Sequence, residues 1–322
     1  RGGGHVNWVL TNIPLVEVYL SAHLLQVVPA VLATLALSLP LARLAQRVRP
    51  LRALIVSGAS LMYAIPSLAL FVILPLVLGT GIRDAANVVV AGSSSLNLMH
   101  DLVTHAFTNG VAGNKPFCRQ GEVKWLCPAP GYDRHFAVTA HLGIKNMPVP
   151  MKNDGPDMEV VQRLVESDPA VKGIWCVPKY ANPTGITYSD AVVRRFASLR
   201  PAAPDFRIYW DNAYAVHSFA EGDDRLLDIF EALAEAGASD LVYEFGSTAK
   251  VTFPSSGIAF VTASPSDMAA IRQAFAVERV SSEKFSQLAH VRFLRDLDGV
   301  KAHMAKHAAI VAPRFALVES KL

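Results

Sequence analysis

Hydrophobic and polar positions follow two different patterns along this chain, and the change lies near residues 83–87. Residues 24–42 form a run of 19 without Asp, Glu, Lys or Arg, and residues 53–82 form another run of 30. A helix needs about 20 apolar residues to cross the hydrocarbon core of a membrane. From Asn87 onward, short β-branched runs alternate with charged helical stretches. The pattern therefore predicts two membrane-type helices followed by a globular part.

The stretch between the two apolar runs is rich in arginine. Arg43, Arg47, Arg49 and Arg52 lie in it, and such a loop is expected on the cytoplasmic side of a membrane. A buried helical hairpin in a soluble core is the alternative, although core helices usually carry a polar face. We therefore expect residues 1–86 to form an all-α segment of about two spans that associates with a membrane.

The same segment resembles a family of membrane proteins. Two stretches, WVLTNIPLVEVYLSAHLLQVVPAVLATLALSLPLARLA and YAIPSLALFVILPLVLGTGI, are similar to the N-terminal part of permease subunits of osmoprotectant (glycine betaine or choline) ABC transporters. The most specific piece is IPSLAL at residues 65–70, and the resemblance covers residues 7–90. It implies a location in the inner membrane. The Glu-Ala-Ala coupling loop of those permeases has no counterpart in this sequence.

The pattern after the change predicts an α/β domain over residues 87–322. VKGIWCVP, DFRIYWD and DLVYEFGS are β-rich runs that end in polar residues, whereas SDAVVRRFASL and RLLDIFEALAEAG have helical periodicity. Alternating strands and helices are typical of a mostly parallel sheet with helices on both faces. Ligands of such sheets bind beyond the carboxyl ends of the strands.

Polar residues follow three of these strands. Asn182 lies in KYANPTG, Asp211 and Tyr214 lie in WDNAY, and Ser247 and Lys250 lie in GSTAK. A pyridoxal phosphate enzyme needs these residue types. A lysine must link covalently to the cofactor aldehyde, and Lys250 lies in an apolar setting, AKVTF. Asp211 suits the carboxylate that keeps the pyridine nitrogen protonated, and Asn182 and Tyr214 can donate to the phenolate oxygen.

The sequence also contains candidate residues for binding the phosphate and the ring of such a cofactor. AGSSSLNLMHDLV predicts a helix that opens at Gly92, Ser93 and Ser94, and a helix N-terminus with hydroxyls binds phosphate. Tyr132 follows the Pro-Gly turn of CPAPGYDRH and can stack on the ring. Singly, each motif has a common structural explanation as a turn, a helix cap or a surface lysine. Their order along the chain favours the cofactor.

In this order the motifs resemble fold-type I pyridoxal-phosphate aminotransferases of the aspartate aminotransferase superfamily. CPAPGYDRHF, GIWCVPKYANPTG and DFRIYWDNAYAVH are similar to a bacterial subgroup, and the resemblance runs from about Val88 to the end. It implies amino transfer between an amino acid and a 2-oxo acid by a cytoplasmic homodimer. It also implies Lys250 as the catalytic lysine and a set of cofactor-binding residues, namely Gly92, Ser93, Ser94, Tyr132, Asn182, Asp211, Tyr214 and Ser247.

The sequence departs from the aminotransferase pattern in three respects. Relatives place an arginine for the phosphate eight residues after the lysine, where this chain has Ile258. The permease-like segment replaces the family's N-terminal arm. The chain stops at RFALVESKL, ahead of most of the C-terminal small domain with its substrate-carboxylate arginine. We therefore expect a truncated domain of impaired activity, joined to a permease fragment at a seam near residues 88–91.

Composition narrows the remaining choices. A net charge of +3, without a stripe of Lys and Arg, gives no reason to expect a nucleic-acid partner. Cys118, Cys127 and Cys176 lack metal-ligand spacing, so we expect reduced thiols and no metal. We assign structural roles to Pro156 and His217. Two alternatives to the enzyme stay open, a membrane component of an osmolyte importer and a chimera without function.

Overall fold

The computed structural model describes residues 21, 28–29, 32, 35–36, 38–48, 52, 87–219, 225–238 and 240–321. The chain divides into two compact units, Arg1–Ile65 and Pro66–Leu322. In the first unit, residues 38–47 are helical. Most of the two predicted spans, and the whole IPSLAL motif, lie outside the described residues. None of the helices within the described ranges is both long enough and apolar enough to cross a membrane.

The second unit is built on an eight-stranded sheet with the order β1-β8-β7-β6-β5-β2-β3-β4. Its strands are β1 (Val88–Val90), β2 (Lys124–Ala129), β3 (Lys145–Lys152), β4 (Gly155–Pro156), β5 (Val171–Cys176), β6 (Arg207–Asp211), β7 (Val242–Ser247) and β8 (Ala259–Thr262). Strands β3, β2, β5, β6 and β7 run parallel, and β8 is antiparallel to both β7 and β1. The carboxyl ends of β1, β2, β5, β6 and β7 therefore meet at one edge.

Helices cover both faces of this sheet. They are α1 (Ser95–Asn109), α2 (Asp133–His141), α3 (Met158–Ser167), α4 (Asp190–Ala197), α5 (Ile229–Glu235), α6 (Pro265–Glu278), α7 (Lys284–Leu294) and α8 (Leu297–Glu319). Apolar residues of α1, α2 and α6 pack on one face, and those of α3, α4 and α5 pack on the other. The predicted α/β class with a mostly parallel sheet is confirmed, as are the three strands and two helices that the pattern indicated.

The two cores follow from the alternation of side chains along each strand. In β6, Tyr209 packs in the core beneath α1, whereas Ile208 and Trp210 pack in the core beneath α4. Trp125, Trp175 and Tyr209 form a cluster of rings with centroids 5.0–5.1 Å apart. Each such buried side chain contributes about 1.5–3 kcal/mol to folding. This packing fixes the strands that carry the polar residues at the sheet edge.

Two buried ion pairs hold the sheet at its other end, where β6 begins. The Lys172 ammonium lies 2.6 Å from an Asp205 carboxylate oxygen. The Arg207 guanidinium binds both carboxylate oxygens of Asp267, at 2.8 and 2.9 Å. A bidentate pair of this kind constrains geometry as well as charge. The start of β6 is therefore fixed to the helix layer before the strand reaches the opposite edge.

The cysteines are free thiols. Cys118 is exposed, whereas Cys127 and Cys176 are buried. Burial raises the pKa of the Cys127 thiol to about 12. It also raises the pKa of Cys176 well above its usual value. Both buried thiols therefore stay protonated and unreactive at neutral pH.

Candidate active site

The residues predicted to bind a cofactor gather at the edge where the parallel strands end. In the order of the strands that they follow, β1, β2, β5, β6 and β7, they are Gly92 to Ser94, Tyr132, Asn182, Asp211 with Tyr214, and Ser247 with Lys250. Strands β7, β6, β5 and β2 are neighbours in the sheet. Residues that lie far apart in the sequence therefore come to one place, as the strand pattern predicted.

Asp211, the last residue of β6, forms the floor of this site. Its side chain is buried, and Oδ2 lies 3.2 Å from Nε2 of His135. His135 belongs to the first turn of α2 and is itself only 1% exposed. Its ring stacks on Trp175, with centroids 4.9 Å apart and planes at 19°. The carboxylate is therefore oriented by a histidine whose own position is fixed by packing.

The other oxygen of Asp211 has a different environment. Oδ1 is buried and has no hydrogen-bond partner among the described residues. A buried carboxylate oxygen without a partner costs about 1–3 kcal/mol or more, so such groups in native proteins usually have a bound partner. A carboxylate accepts but does not donate when ionised. Oδ1 thus requires a hydrogen-bond donor, and a positively charged N–H group satisfies it best.

Tyr132 and Asn182 line one small crevice beside His135. The crevice has a volume of about 20 Å³. Tyr132 caps the start of α2, and its ring meets the His135 ring edge to face at 5.0 Å. The turn that precedes it requires Gly131, because a Cβ there would lie 2.2 Å from the Pro128 carbonyl oxygen. The structure thus brings these two predicted residues together around the histidine that contacts Asp211.

Lys250 lies over the ring of Tyr214. Its Nζ is 3.9 Å from the ring centroid, within the range of a cation–π contact. The His217 ring lies 5.5 Å from that of Tyr214. Burial lowers the pKa of His217 to about 4, so this histidine is neutral at physiological pH. The lysine therefore lies over a tyrosine ring that itself packs against a neutral histidine.

Ser247 connects the lysine segment to the turn that precedes α1. Its Oγ donates to the Ser93 carbonyl oxygen at 2.7 Å and accepts from the Ala249 amide at 3.0 Å. Gly92 has a φ of +66°, the left-handed region that glycine adopts most readily. Lys250, Ser247 and the Gly92–Ser94 turn therefore form one continuous wall of the site.

The N-terminus of α1 has the features of an anion site. Ser94 is the N-cap residue, and its side chain makes no capping hydrogen bond. The first turn of α1 contains no acidic residue. The partial positive charge of this 15-residue helix is therefore not neutralised from within the helix. With the hydroxyls of Ser93 and Ser94 beside it, this end of α1 can bind a phosphate group.

The structure corrects one expectation about Lys250 and gives a place to Ile258. The prediction that Lys250 lies in an apolar setting is wrong, because the 3-10 turn Thr248–Lys250 buries Thr248 and exposes the lysine side chain. Ile258 is buried against Val88 and Phe260. It also lines a cavity of about 310 Å³ next to Gly92, and none of the described residues around that cavity is Lys or Arg.

Sequence reasoning missed the residues that support the site from behind. His135 lies within the CPAPGYDRH motif, but the motif alone predicts no role for it, and the sequence predicts only a structural role for His217. Trp175 lies in the buried strand β5, and nothing in its sequence position indicates a role at the site. The available signal was His135, the third residue of α2. A histidine that is buried one turn after Tyr132 needs a hydrogen-bond partner, and that partner is Asp211.

Known proteins are similar to this chain in sequence and in architecture. Residues 76–322 match the family model described as aspartate amino-transferase. The chain belongs to this family. Aminotransferases of this family depend on pyridoxal phosphate as a general property. The match begins inside the second predicted span and ahead of the predicted seam near residues 88–91. The join to a permease fragment stays a prediction.

The chain aligns with only part of the length of its relatives. A Mycolicibacterium smegmatis protein named as an aminotransferase is 45% identical over 233 residues, which are 72% of this chain and 54% of that protein. The aspartate aminotransferase of Corynebacterium glutamicum is 41% identical over 229 residues, or 70% of this chain and 53% of that enzyme. The chain spans about half the length of these curated relatives.

A solved structure agrees with the fold. The crystal structure of an aspartate transaminase from Corynebacterium glutamicum superposes with a TM-score of 0.74 at 38% identity. The superposition covers 78% of this chain and 59% of that chain. The similarity therefore extends over most of the described residues of the second unit.

Proposed function

We propose that this chain binds pyridoxal phosphate and transfers an amino group between an amino acid and a 2-oxo acid. The observation that supports this function best is the buried Oδ1 of Asp211, which has no partner among the described residues. A pyridinium N–H supplies the charged donor that this oxygen requires. When bound, the cofactor supplies an electron sink for the carbanion that forms at the substrate Cα.

Each predicted residue has a task that its position supports. Asp211 holds the positive charge on the ring nitrogen, and His135 keeps the carboxylate in place. Tyr132 offers its ring as a stacking surface, while Asn182 and Tyr214 donate to the phenolate oxygen. The phosphate belongs at the N-terminus of α1, with the Gly92–Ser94 turn and Ser247. These roles are proposals that rest on the geometry of the edge.

Lys250 has two tasks. Its primary amine would hold the cofactor covalently through the cofactor aldehyde. When a substrate has displaced it, the free amine would accept the proton from the substrate Cα and act as the donor of that proton later in the reaction. The exposed position of Lys250 leaves its Nζ accessible to a substrate. The ring of Tyr214 limits its movement on one side.

The experiment that tests this function follows covalent capture of the cofactor. The full chain is incubated with pyridoxal phosphate and reduced with borohydride, and the modified peptide is located by mass spectrometry. We expect one modification per chain, at Lys250. Lys250→Arg keeps the positive charge but cannot form the link, so the modification should disappear. Lys115→Arg, at an exposed lysine of a distant loop, is the matched control and should leave it unchanged.

Amino transfer is measured in the same preparations. L-Aspartate is the first donor to test because a relative is an aspartate aminotransferase, and the released 2-oxo acid is quantified. Modification that persists in Lys250→Arg would refute the assignment of the lysine. Cofactor capture without any transfer from a panel of amino acids would refute the proposed reaction but not the cofactor site.

A further inference from the structure

A second polar cavity lies on the face of the sheet opposite to the candidate active site. Its volume is about 140 Å³, and its walls include Trp210, Asn212 and Glu244. Trp210 packs in the core beneath α4, on the other side of β6 from Asp211. Since successive residues of a strand face opposite sides, Asn212 is directed away from the site to which its neighbour Asp211 belongs.

Two side chains that line this cavity each have a buried oxygen without a hydrogen-bond partner among the described residues. These oxygens are Oε2 of Glu244 and Oδ1 of Asn212. The two side chains bind each other through their remaining atoms, since Asn212 Nδ2 donates to Glu244 Oε1 at 2.9 Å. Glu244 is 0% exposed and Asn212 5%. Buried polar atoms of this kind bind water or a ligand in native proteins.

The pair has one unpartnered donor and one unpartnered acceptor beside the cavity. Burial raises the pKa of Glu244 to about 8, so the side chain is a neutral carboxyl at pH 7. Because Oε1 already accepts from Asn212, the proton lies on Oε2 and can be donated. Asn212 Oδ1 can only accept. A ligand with an acceptor next to a donor matches both atoms.

The charged groups of the cavity favour an anion. Lys179, only 7% exposed, and Arg225 line it together with Asp228. Lys179 Nζ donates to the Ala215 carbonyl oxygen at 3.3 Å, and Asp228 Oδ1 accepts from the Phe230 amide. With Glu244 neutral, these side chains sum to one positive charge. The apolar remainder of the wall comes from Trp210 and leucine side chains.

We propose that this cavity binds a small 2-hydroxy or 2-amino carboxylic acid. The carboxylate of the ligand accepts from Glu244 Oε2 and faces the cationic side chains, and its hydroxyl or ammonium group donates to Asn212 Oδ1. A volume of about 140 Å³ holds four or five waters at roughly 30 Å³ each, or a ligand of the size of lactate or serine. This site is separate from the candidate active site and does not depend on the proposed transfer reaction.

L-Lactate is the probe for this site because it carries no amino group and cannot act as an amino donor. Equilibrium dialysis of the full chain with radiolabelled L-lactate gives the affinity from pH 7 to pH 9.5. We expect one lactate per chain at pH 7. Above about pH 8 the affinity should fall by about tenfold per pH unit, because the Glu244 proton is lost.

Two substitutions of Glu244 separate the proposal from its alternatives. Glu244→Gln keeps the acceptor for Asn212 and replaces the O–H by an N–H, so binding should persist and become independent of pH up to 9.5. Glu244→Leu removes the donor and should weaken binding about 10- to 100-fold at pH 7. Urea unfolding of each variant establishes that it is folded. Asp211→Asn, on the other face of β6, should leave lactate binding unchanged.

Three results would overturn the proposal. The first is no saturable lactate binding to the unsubstituted chain at pH 7, which would leave the cavity to water. The second is equal affinity in Glu244→Leu that is folded by urea unfolding. The third is loss of binding in Asp211→Asn, which would place lactate in the candidate active site instead.

Discussion

Asp211 and Asn212 are adjacent residues with environments that differ in nearly every respect. Asp211 turns one oxygen to His135 and leaves the other without a partner, whereas Asn212 is bound to Glu244 on the opposite face. Both side chains are about 5% exposed. The pleat of a single strand therefore supplies two unrelated polar sites at its carboxyl end.

Replacing the Asp211 carboxylate by an amide should weaken cofactor binding. Asp211→Asn keeps the size of the side chain and a contact to His135, but it removes the negative charge that the pyridinium needs. A charge-assisted hydrogen bond contributes about 1.5–3 kcal/mol, which corresponds to an affinity lower by about 10- to 150-fold. Absorbance titration with pyridoxal phosphate measures the change. Asp190→Asn, an exposed carboxylate on α4, is the control and should bind as before.

Glu244 should make the stability of the chain depend on pH. Its pKa rises from 4.5 to about 8 on folding, chiefly because burial disfavours the charged form. The stabilising effect of the protonated form is complete below pH 4.5 and is lost as the pH rises through 8. The free energy of unfolding should fall by up to about 1.4 kcal/mol per pH unit in this window. Urea unfolding at pH 6.5 and 8.0 measures this slope.

Glu244→Gln should remove that slope of the unfolding free energy with pH, and Glu159→Gln on the exposed side of α3 should leave it unchanged.

His217 changes the free energy of unfolding in the opposite direction at lower pH. Its folded pKa of about 4 lies below the usual 6.5, so its contribution is present above pH 6.5 and is lost as the pH falls toward 4. Between pH 6.5 and 8, the pH dependence of the unfolding free energy therefore reports on Glu244 and not on His217. An unchanged slope in Glu244→Gln would contradict the assignment.

The sequence predicted the positions of the candidate site residues because strand ends are visible in its pattern. Asn182, Asp211 and Lys250 each follow a β-rich run, and parallel strands bring such ends together. It could not predict which side chains meet. His135 and Asp211 are 76 residues apart, and Glu244 is 32 residues from Asn212. Contacts of this kind depend on helix placement and side-chain direction, which periodicity alone does not specify.

At the scale of elements, the turn before α1 and the segment after β7 act as a unit. They are joined by the hydrogen bond from Ser247 to the Ser93 carbonyl oxygen, across 154 residues of sequence. Apart from Lys250, which is assigned to the cofactor aldehyde, neither element contains a Lys or Arg that could replace the arginine absent at Ile258. Phosphate affinity should therefore depend on the helix N-terminus and on the hydroxyls more than on a paired charge.

Ser247→Ala should lower the affinity for pyridoxal phosphate by about tenfold or more, since it removes a hydroxyl and releases the Gly92–Ser94 turn. It also removes the cap on the Ala249 amide, which costs about 1 kcal/mol of stability. Ser264→Ala is the matched control, because Ser264 likewise caps a helix, at Asp267, but follows β8, whose carboxyl end lies at the opposite edge of the sheet. Equal loss of cofactor affinity in both variants would contradict a specific role of Ser247.

At the scale of the whole chain, the described residues account for an aminotransferase-family unit and leave most of residues 1–86 undescribed. The family model explains residues 76–322. The first uncharged run lies before this match, and the second overlaps it at residues 76–82. The difference in composition between residues 1–86 and the rest of the chain is visible in the sequence. Composition alone does not determine which structure the apolar segment adopts.

We still predict that residues 1–86 bring a soluble reporter to membranes when the reporter is fused after Ile82. The reason is the pair of uncharged runs flanking four arginines. Fractionation of cells that express the fusion, with and without detergent, provides the measurement. The reporter fused to residues 87–322 is the control. Recovery of the first fusion in the soluble fraction without detergent would refute the prediction.

The alternation at the end of β6 also limits how this gene can change. Deleting one residue inside Arg207–Asp211 would exchange the two faces of everything that follows in the strand. Asp211 would then be directed toward Glu244, and Asn212 toward His135. The ion pair of Arg207 with Asp267 fixes the start of the strand, so the chain could not relieve the shift by sliding. Length variants of β6 that remain functional should therefore differ by an even number of residues.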